Sequence, residues 1–440
     1  MELNRVNYNK RVKHYNTSRK PRKQPWFMCF ILFILCKIML GRRYKVEKIN
    51  MKGQKAPYVL LSNHMAFVDF KVNIVATFPQ RVNNIATLEQ HYKRAGIMRF
   101  IGCIPKRKFT TDPTLLDACT TVLNDYKSVL SIYPEARFSE IGITGTIPKS
   151  YASLIKKLGK SVVVLLHHGN HLSAPFWNWR KKRKVKLYAT MTKILDEKDV
   201  QEKSVDEIYD ILLKSLEYDD YKYQKENNIE IKEKFRAEGL HKVLYKCPHC
   251  NTEYKISSKG TTLKCENCGK EWEMTTLGEL VAKDGNTEFS HIPDWFKWEK
   301  ECVNDEIDRG LYNFETECDV YSLPNPNKFI YLGKAELKHS YENGFTLAGE
   351  YNKEKYIISR PTAGMSGIHI EYDYNYIHGG ECLQLSTRDD TFVCYPKDEN
   401  VVTKIFFATD IMYKKKTMDR EERKKRKALA INNVSVNKEQ

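Results

Sequence analysis

The segment Ala56–Phe70 reads APYVLLSNHMAFVDF and places His64 five residues before Asp69. A neutral imidazole has a pKa near working pH and can take a proton from a weakly nucleophilic alcohol. A carboxylate bonded to the other ring nitrogen fixes the tautomer and stabilises the imidazolium that forms. If the substrate brings the hydroxyl, no serine is needed. Other proteins carry the same spacing without using it, so the pair needs support from elsewhere in the chain.

Three further segments supply it. Arg99–Phe109 reads RFIGCIPKRKF, a glycine and an apolar stretch ending in Lys106, Arg107 and Lys108. Such a basic loop can clamp a phosphate, although a solvated surface loop has the same composition. Val129–Ser139 reads VLSIYPEARFS, an apolar strand stopped by Pro134. That stop sets Glu135 and Arg137 at the strand's carboxyl end, where open α/β sheets bind ligands. Arg137 suits a phosphate; Glu135 suits a substrate hydroxyl or the organisation of the arginine. The bland alternative is a surface turn with an ion pair. Lys160–Asn170 reads KSVVVLLHHGN, an all-apolar strand followed by His167, His168 and His171. No carboxylate stands at metal-ligand spacing, which favours pocket-lining or structural histidines.

A separate cluster points to a metal. Cys247, Cys250, Cys265 and Cys268 form C-x2-C-x14-C-x2-C. Four thiolates at this spacing suit a closed tetrahedral Zn²⁺ site, structural rather than catalytic, and resemble a zinc ribbon. The chain holds twelve cysteines. Their pairing as metal ligands calls for reduced thiols and so for a catalytic part facing the cytoplasm.

The four segments around His64, taken in order, resemble the four motif blocks of the glycerolipid (1-acylglycerol-3-phosphate or lysophospholipid) acyltransferase family. Asn63-His64 with Asp69 matches its N-H-x4-D block. Gly102–Arg107 resembles the second block, and Tyr133–Ser139 the third, usually F-P-E-G-T-R-S. Val162–Leu166 resembles the fourth. Here Ala136 replaces the glycine, and Arg137 comes one residue early, closer to a shorter E-G-R form of acyltransferases that reacylate lysophosphatidylethanolamine. The resemblance implies an α/β domain, His64 as general base and Asp69 as its support. It implies that Asn63, Lys106, Arg107, Glu135 and Arg137 bind the substrate. The donor would be an acyl thioester, either acyl-CoA or acyl-carrier protein, and the acceptor a lysophospholipid, with 1-acylglycerol-3-phosphate leading. The oxyanion needs donors, for which backbone N–H groups near a helix N-terminus are candidates.

The positioning elements follow. The chain has 440 residues and a formal net charge of +18, room for two or three domains and a pull toward polyanions. Residues 1–24 form a basic tail. The run PWFMCFILFILCKIML, Pro25–Leu40, then spans about 24 Å as helix, short of the ~30 Å hydrocarbon core. A shallow or re-entrant anchor on an anionic membrane surface suits it as well as a span. It lacks the small-residue cleavage site of a signal peptide, and so dense a basic flank is unusual beside a core helix.

We read residues 25–41 as a membrane-associated helix and 42–220 as the acyltransferase domain, a mixed sheet flanked by helices. Within it, Trp177–Lys184 is a basic run with tryptophans that suits a membrane surface or a solvated hairpin. Lys186–Leu195 alternates as a strand. Ser204 caps a helix whose stripe is Ile208, Ile211, Leu212 and Leu216, with Glu207 closing a capping box. A linker covers 221–241, the zinc ribbon 242–275 and a second linker 276–316. Residues 317–413 show five β-prone runs between turn signals, read as an all-β sandwich or small barrel. Residues 414–440 are a charged tail, helical and then disordered. The rival reading is a membrane-anchored zinc-ribbon protein that binds nucleic acid, but the ribbon's own charge is nearly balanced. A scaffold with a dead catalytic fold is the third.

Overall fold

The computed structural model describes residues 13–418. The first half of the N-terminal basic tail (1–12) and most of the charged C-terminal tail (419–440) lie outside the described residues.

The first unit is a mixed seven-stranded sheet. Its strands are β1 (Tyr44–Ile49), β2 (Val59–Ser62), β3 (Val82–Thr87), β4 (Ile104–Lys106), β5 (Val129–Ile132), β6 (Val162–His168) and β7 (Leu187–Leu195). The spatial order is β1-β7-β6-β2-β5-β3-β4. From β6 through β4 every neighbour is parallel, whereas β7 runs against β6 and β1 runs with β7. The short central strands are buried along their whole length because helices cover both faces. One face packs Val59, Leu61 and Val164 against Ile155, Ile208 and Leu212. The other packs Leu60, Val163 and Leu165 against Val72 and Ala76 of the helix Asp69–Thr77. The expected capping box of helix Val205–Leu216 is present: Ser204 and Glu207 bond each other's backbone N–H.

The N-terminal helix, Trp26–Leu40, lies on that second face. It buries Cys29, Cys36 and Leu40, and Phe33 stacks on Phe78 with ring centroids 3.9 Å apart. Its other side leaves Trp26, Phe27, Phe30, Ile31, Ile34, Leu35, Ile38 and Met39 exposed. Among the described residues no helix is long and apolar enough to cross a membrane.

The ribbon is a four-stranded antiparallel sheet, β8 (Ile256–Lys259), β9 (Thr262–Cys265), β10 (Glu271–Met274) and β11 (Leu280–Ala282). Its last strand falls in the stretch read as a linker. So does a 17-residue helix, Ile292–Asp308, which buries Trp295, Phe296 and Val303 among charged neighbours. The first linker also folds: Ile231, Ala237 and Leu240 are buried in the same core as Trp272 and Trp295.

The C-terminal unit is neither sandwich nor barrel. It is one antiparallel sheet of β12 (Asn313–Ser322), β13 (Ile330–Ser340), β14 (Gly344–Tyr351), β15 (Glu354–Arg360), β16 (His369–Glu371), β17 (Cys382–Ser386) and β18 (Thr391–Pro396), in the order 15-14-13-12-18-17-16. The two helices Ile292–Asp308 and 402–418 supply the apolar cover that a second sheet would otherwise give. Phe296 of one meets Phe407 of the other at 4.6 Å. One continuous core joins this sheet, the ribbon, and Phe138, Phe176 and Trp177 of the first unit. The C-terminal sheet is therefore packed onto the region that carries His64.

Candidate functional site

β2 ends at Ser62 and delivers Asn63 and His64 to the carboxyl edge of the sheet. Asp69 opens the next helix and is fully buried. The His64 Nδ1 lies 3.0 Å from Asp69 Oδ2. The carboxylate is held from three further sides. Its Oδ2 accepts the N–H groups of Met65 (2.6 Å) and Ala66 (3.0 Å), and its Oδ1 accepts the Asn170 amide at 2.6 Å. Burial opposes a charge on Asp69, but His167 and the bonds from His64 and Asn170 keep its carboxyl below the usual range. Burial also lowers the His64 pKa, against the hydrogen bond and charge of Asp69, so the ring is neutral at pH 7.

The imidazole sits between Tyr133 and Phe138, each with its ring centroid 4.0 Å away. It borders a cavity of about 330 Å³. Phe70, Ile85, Ala86, Met98 and Ile132 give that cavity apolar walls; Arg94, Lys106, Lys108 and Arg137 bring cationic groups to it. A neutral base thus faces a space lined by both hydrocarbon and positive charge.

The remaining predicted residues divide sharply. Asn63 does not face the cavity: its side chain bonds the backbone of His167 both ways, at 3.1 and 2.7 Å, and ties β2 to β6. Glu135 accepts the N–H of His64 (3.3 Å) and of Gly145 (2.8 Å). Burial raises its pKa to about 8, against those two bonds. It braces the His64 loop rather than a substrate hydroxyl. Lys106 lines the cavity and donates to Thr110 O at 2.8 Å.

Arg107 and Arg137 are engaged by the C-terminal sheet and its last helix. Arg107 is buried and donates to Leu323 O, Pro324 O, Asp389 O and Thr391 Oγ1, all at 2.8–3.0 Å. Arg137 is paired with Asp410 through both terminal nitrogens, at 3.2 and 2.6 Å. Against burial, Asp410 and Glu140 keep its guanidinium charged. All four terminal N–H groups of Arg107, the expected phosphate ligand, are thus bonded to the C-terminal unit. Its partners lie more than 200 residues away in sequence.

The third block also holds a backbone signature. Ala136 has φ +57°, a left-handed conformation that a glycine adopts without cost. Residues for which the sequence suggests no role of their own include Asn170, Tyr133, Phe138 and Asp410; it marks Lys108 only as part of the basic loop. Asn170, Tyr133 and Phe138 stand inside the segments singled out; the side chain of Asp410 gives no such signal.

The four cysteines converge. Their sulfurs all lie within 4.8 Å of one another, with Cys247–Cys268 at 3.8 Å and Cys250–Cys265 at 3.7 Å. A tetrahedron with ~2.3 Å Zn–S bonds has an edge of about 3.8 Å, so the four thiols could hold zinc. No disulfide forms among the described residues.

No family model matches the chain. No curated protein matches it either. Among solved structures it is similar to the 1-acyl-sn-glycerophosphate (LPA) acyltransferase PlsC from Thermotoga maritima, with a TM-score of 0.36 and 14% identity over 43% of this chain and 78% of that one.

Proposed function

We propose that the chain is an acyltransferase that moves a fatty acyl group from an acyl thioester to the free hydroxyl of a lysophospholipid. The observation that carries this reading is the His64–Asp69 pair at 3.0 Å facing an apolar cavity with cations in its wall. A lysophospholipid offers the matching chemistry: a hydrocarbon chain, a hydroxyl and an anionic head-group. We take 1-acylglycerol-3-phosphate as the leading acceptor.

In this mechanism the acceptor hydroxyl gives its proton to His64 Nε2 as its oxygen attacks the thioester carbonyl. Asp69 holds the Nδ1–H tautomer and balances the imidazolium. The tetrahedral intermediate collapses, the C–S bond breaks, and the imidazolium returns its proton to the leaving thiolate. Burial keeps His64 neutral at the start, which is the form the first step needs. Tyr133 and Phe138 fix the plane of the ring.

The exposed apolar side of helix Trp26–Leu40 supports attachment to one leaflet of an anionic membrane, with Lys23, Arg42 and Arg43 exposed at its two ends. We place the catalytic unit on the cytoplasmic side, where the four cysteines stay reduced and hold a structural Zn²⁺. The rival nucleic-acid reading is weakened at the ribbon itself: Lys246, Lys270 and Lys283 are paired with Glu253, Glu288 and Glu271. The test is a product screen. Purified protein is mixed with lysophospholipids of different head-groups and with acyl-CoA or acyl-carrier protein donors. Mass spectrometry then reports whether any pair yields a diacyl lipid; no diacyl product from any pair rejects the reading.

A further inference from the structure

The acceptor proposed above carries a negative charge, and the chain must meet it with a cation that is still available. Four cations border the cavity, and Arg107 stands beside it in sequence. Arg107 is out of reach, because both terminal nitrogens are bonded to three carbonyls and a hydroxyl of the C-terminal unit. Arg137 touches the cavity, yet its two terminal nitrogens hold Asp410, and its plane faces the Phe406 ring at 4.2 Å. A phosphate that drew Arg137 away from Asp410, a side chain 2% exposed, would leave an unpaired buried carboxylate. Arg94 is exposed at the outer wall. Lys106 keeps one N–H on Thr110 O.

Lys108 differs from all of these. It is half-buried in the cavity wall. Among the described residues its ammonium makes no hydrogen bond and no ion pair. Glu371, Glu89, Glu140 and Arg137 all act on it electrostatically, but none of them bonds it. Its charge is also felt at the His64 ring. All three N–H donors are therefore open to a ligand beside the base.

Resting on the acyltransferase reading, we propose that Lys108 is the residue that binds the phosphate of the acceptor, and that Arg107 and Arg137 instead hold the C-terminal unit in place. Burial brings the pKa of this ammonium down to about 8, against the opposing pull of Glu371, Glu89 and Glu140. An ammonium on a flexible stem does not demand the bidentate geometry of a guanidinium. It serves a phosphate monoester and a phosphodiester alike, so the class of acceptor is any phosphate-bearing monoacylglycerol.

Binding and turnover separate this proposal from the reaction on which it rests. In the full-length His64→Ala protein, calorimetry with 1-hexanoylglycerol-3-phosphate measures acceptor binding with no chemistry. Adding Lys108→Met should weaken that binding at least tenfold relative to 1-hexanoylglycerol, which lacks the phosphate. Adding Lys108→Arg instead should restore it to within threefold. In the active protein Lys108→Met should raise KM for the phosphate acceptor at least tenfold and change kcat less than threefold. Equal affinities with and without Lys108, or an equal loss for both ligands, would overturn the proposal. Lys108-dependent binding without a diacyl product would sustain the phosphate site and remove the reaction; turnover with Lys108-independent binding would do the reverse.

Discussion

Asp69→Asn is the most instructive change at the site, because the structure dictates how an amide must sit there. The Asp69 Oδ2 receives two backbone N–H groups, from Met65 and Ala66. An amide nitrogen in that place would face two donors, so the amide oxygen must take it. His64 then still finds an acceptor at Nδ1 and keeps its tautomer. The amide nitrogen meets Asn170, whose own side chain can flip, since its buried Oδ1 has no partner now. Only the charge is lost. At about 4 Å and an effective dielectric of about 20, carboxylate and imidazolium attract by about 4 kcal/mol. Taking half to all of that, the barrier rises by ~2–4 kcal/mol and kcat falls by about 30- to 1000-fold. The assay is thiol release from acyl-CoA coupled to diacyl product, with circular dichroism to verify the fold. A kcat within threefold of wild type would refute the role of Asp69. A loss of about 10⁴ or more, as a switched tautomer gives, would refute the backbone lock on the amide.

The same geometry fixes other outcomes. Acyl transfer needs neutral His64, and burial lowers its pKa, so the rate should stay flat as pH falls to about 6.5 and drop only below it. In Asp69→Asn, which removes the charge that helps raise that pKa, the midpoint should move lower still; a wild-type midpoint above pH 7 contradicts the burial argument. Ala136→Gly should raise unfolding stability by roughly 1 kcal/mol in urea titrations, because it relieves the +57° backbone strain; unchanged or lower stability counts against that strain. Elemental analysis should find one zinc per chain, and Cys265→Ser should abolish it and lower Tm, because the ribbon shares its core with the C-terminal sheet; a metal-free wild type of normal Tm would exclude the site.

What the sequence disclosed follows the range of the interactions. His64 and Asp69 were readable because their contact spans five residues, and the cysteines because two short knuckles carry them. The central strands were readable because burial on both faces leaves unbroken apolar runs. The bonds that Arg107 and Arg137 make to the C-terminal unit were not legible, because a basic side chain looks the same whether it awaits a phosphate or holds Leu323 O and Asp410. Trp177–Lys184 likewise did not show in sequence which of its cations find partners. Arg180 pairs with Asp373, Lys181 pairs with Glu238, and Arg183 is buried against Arg236 O. Helix Ile292–Asp308 was hidden by its charge: ten of its seventeen residues are not buried, and its apolar stripe is narrow. The C-terminal strands were legible one by one. Their closure into a single sheet under two helices depends on contacts that no local pattern reports.

The central claim is that His64 removes the proton of a lysophospholipid hydroxyl. Its most direct test is the mass-spectrometric yield of diacyl lipid from wild-type and His64→Ala proteins under matched conditions, with zinc content and melting temperature measured on both. His64→Ala should lose about 10²- to 10⁴-fold in product, with zinc and melting temperature retained. Product formation at the wild-type rate by a folded, zinc-loaded His64→Ala protein would contradict it.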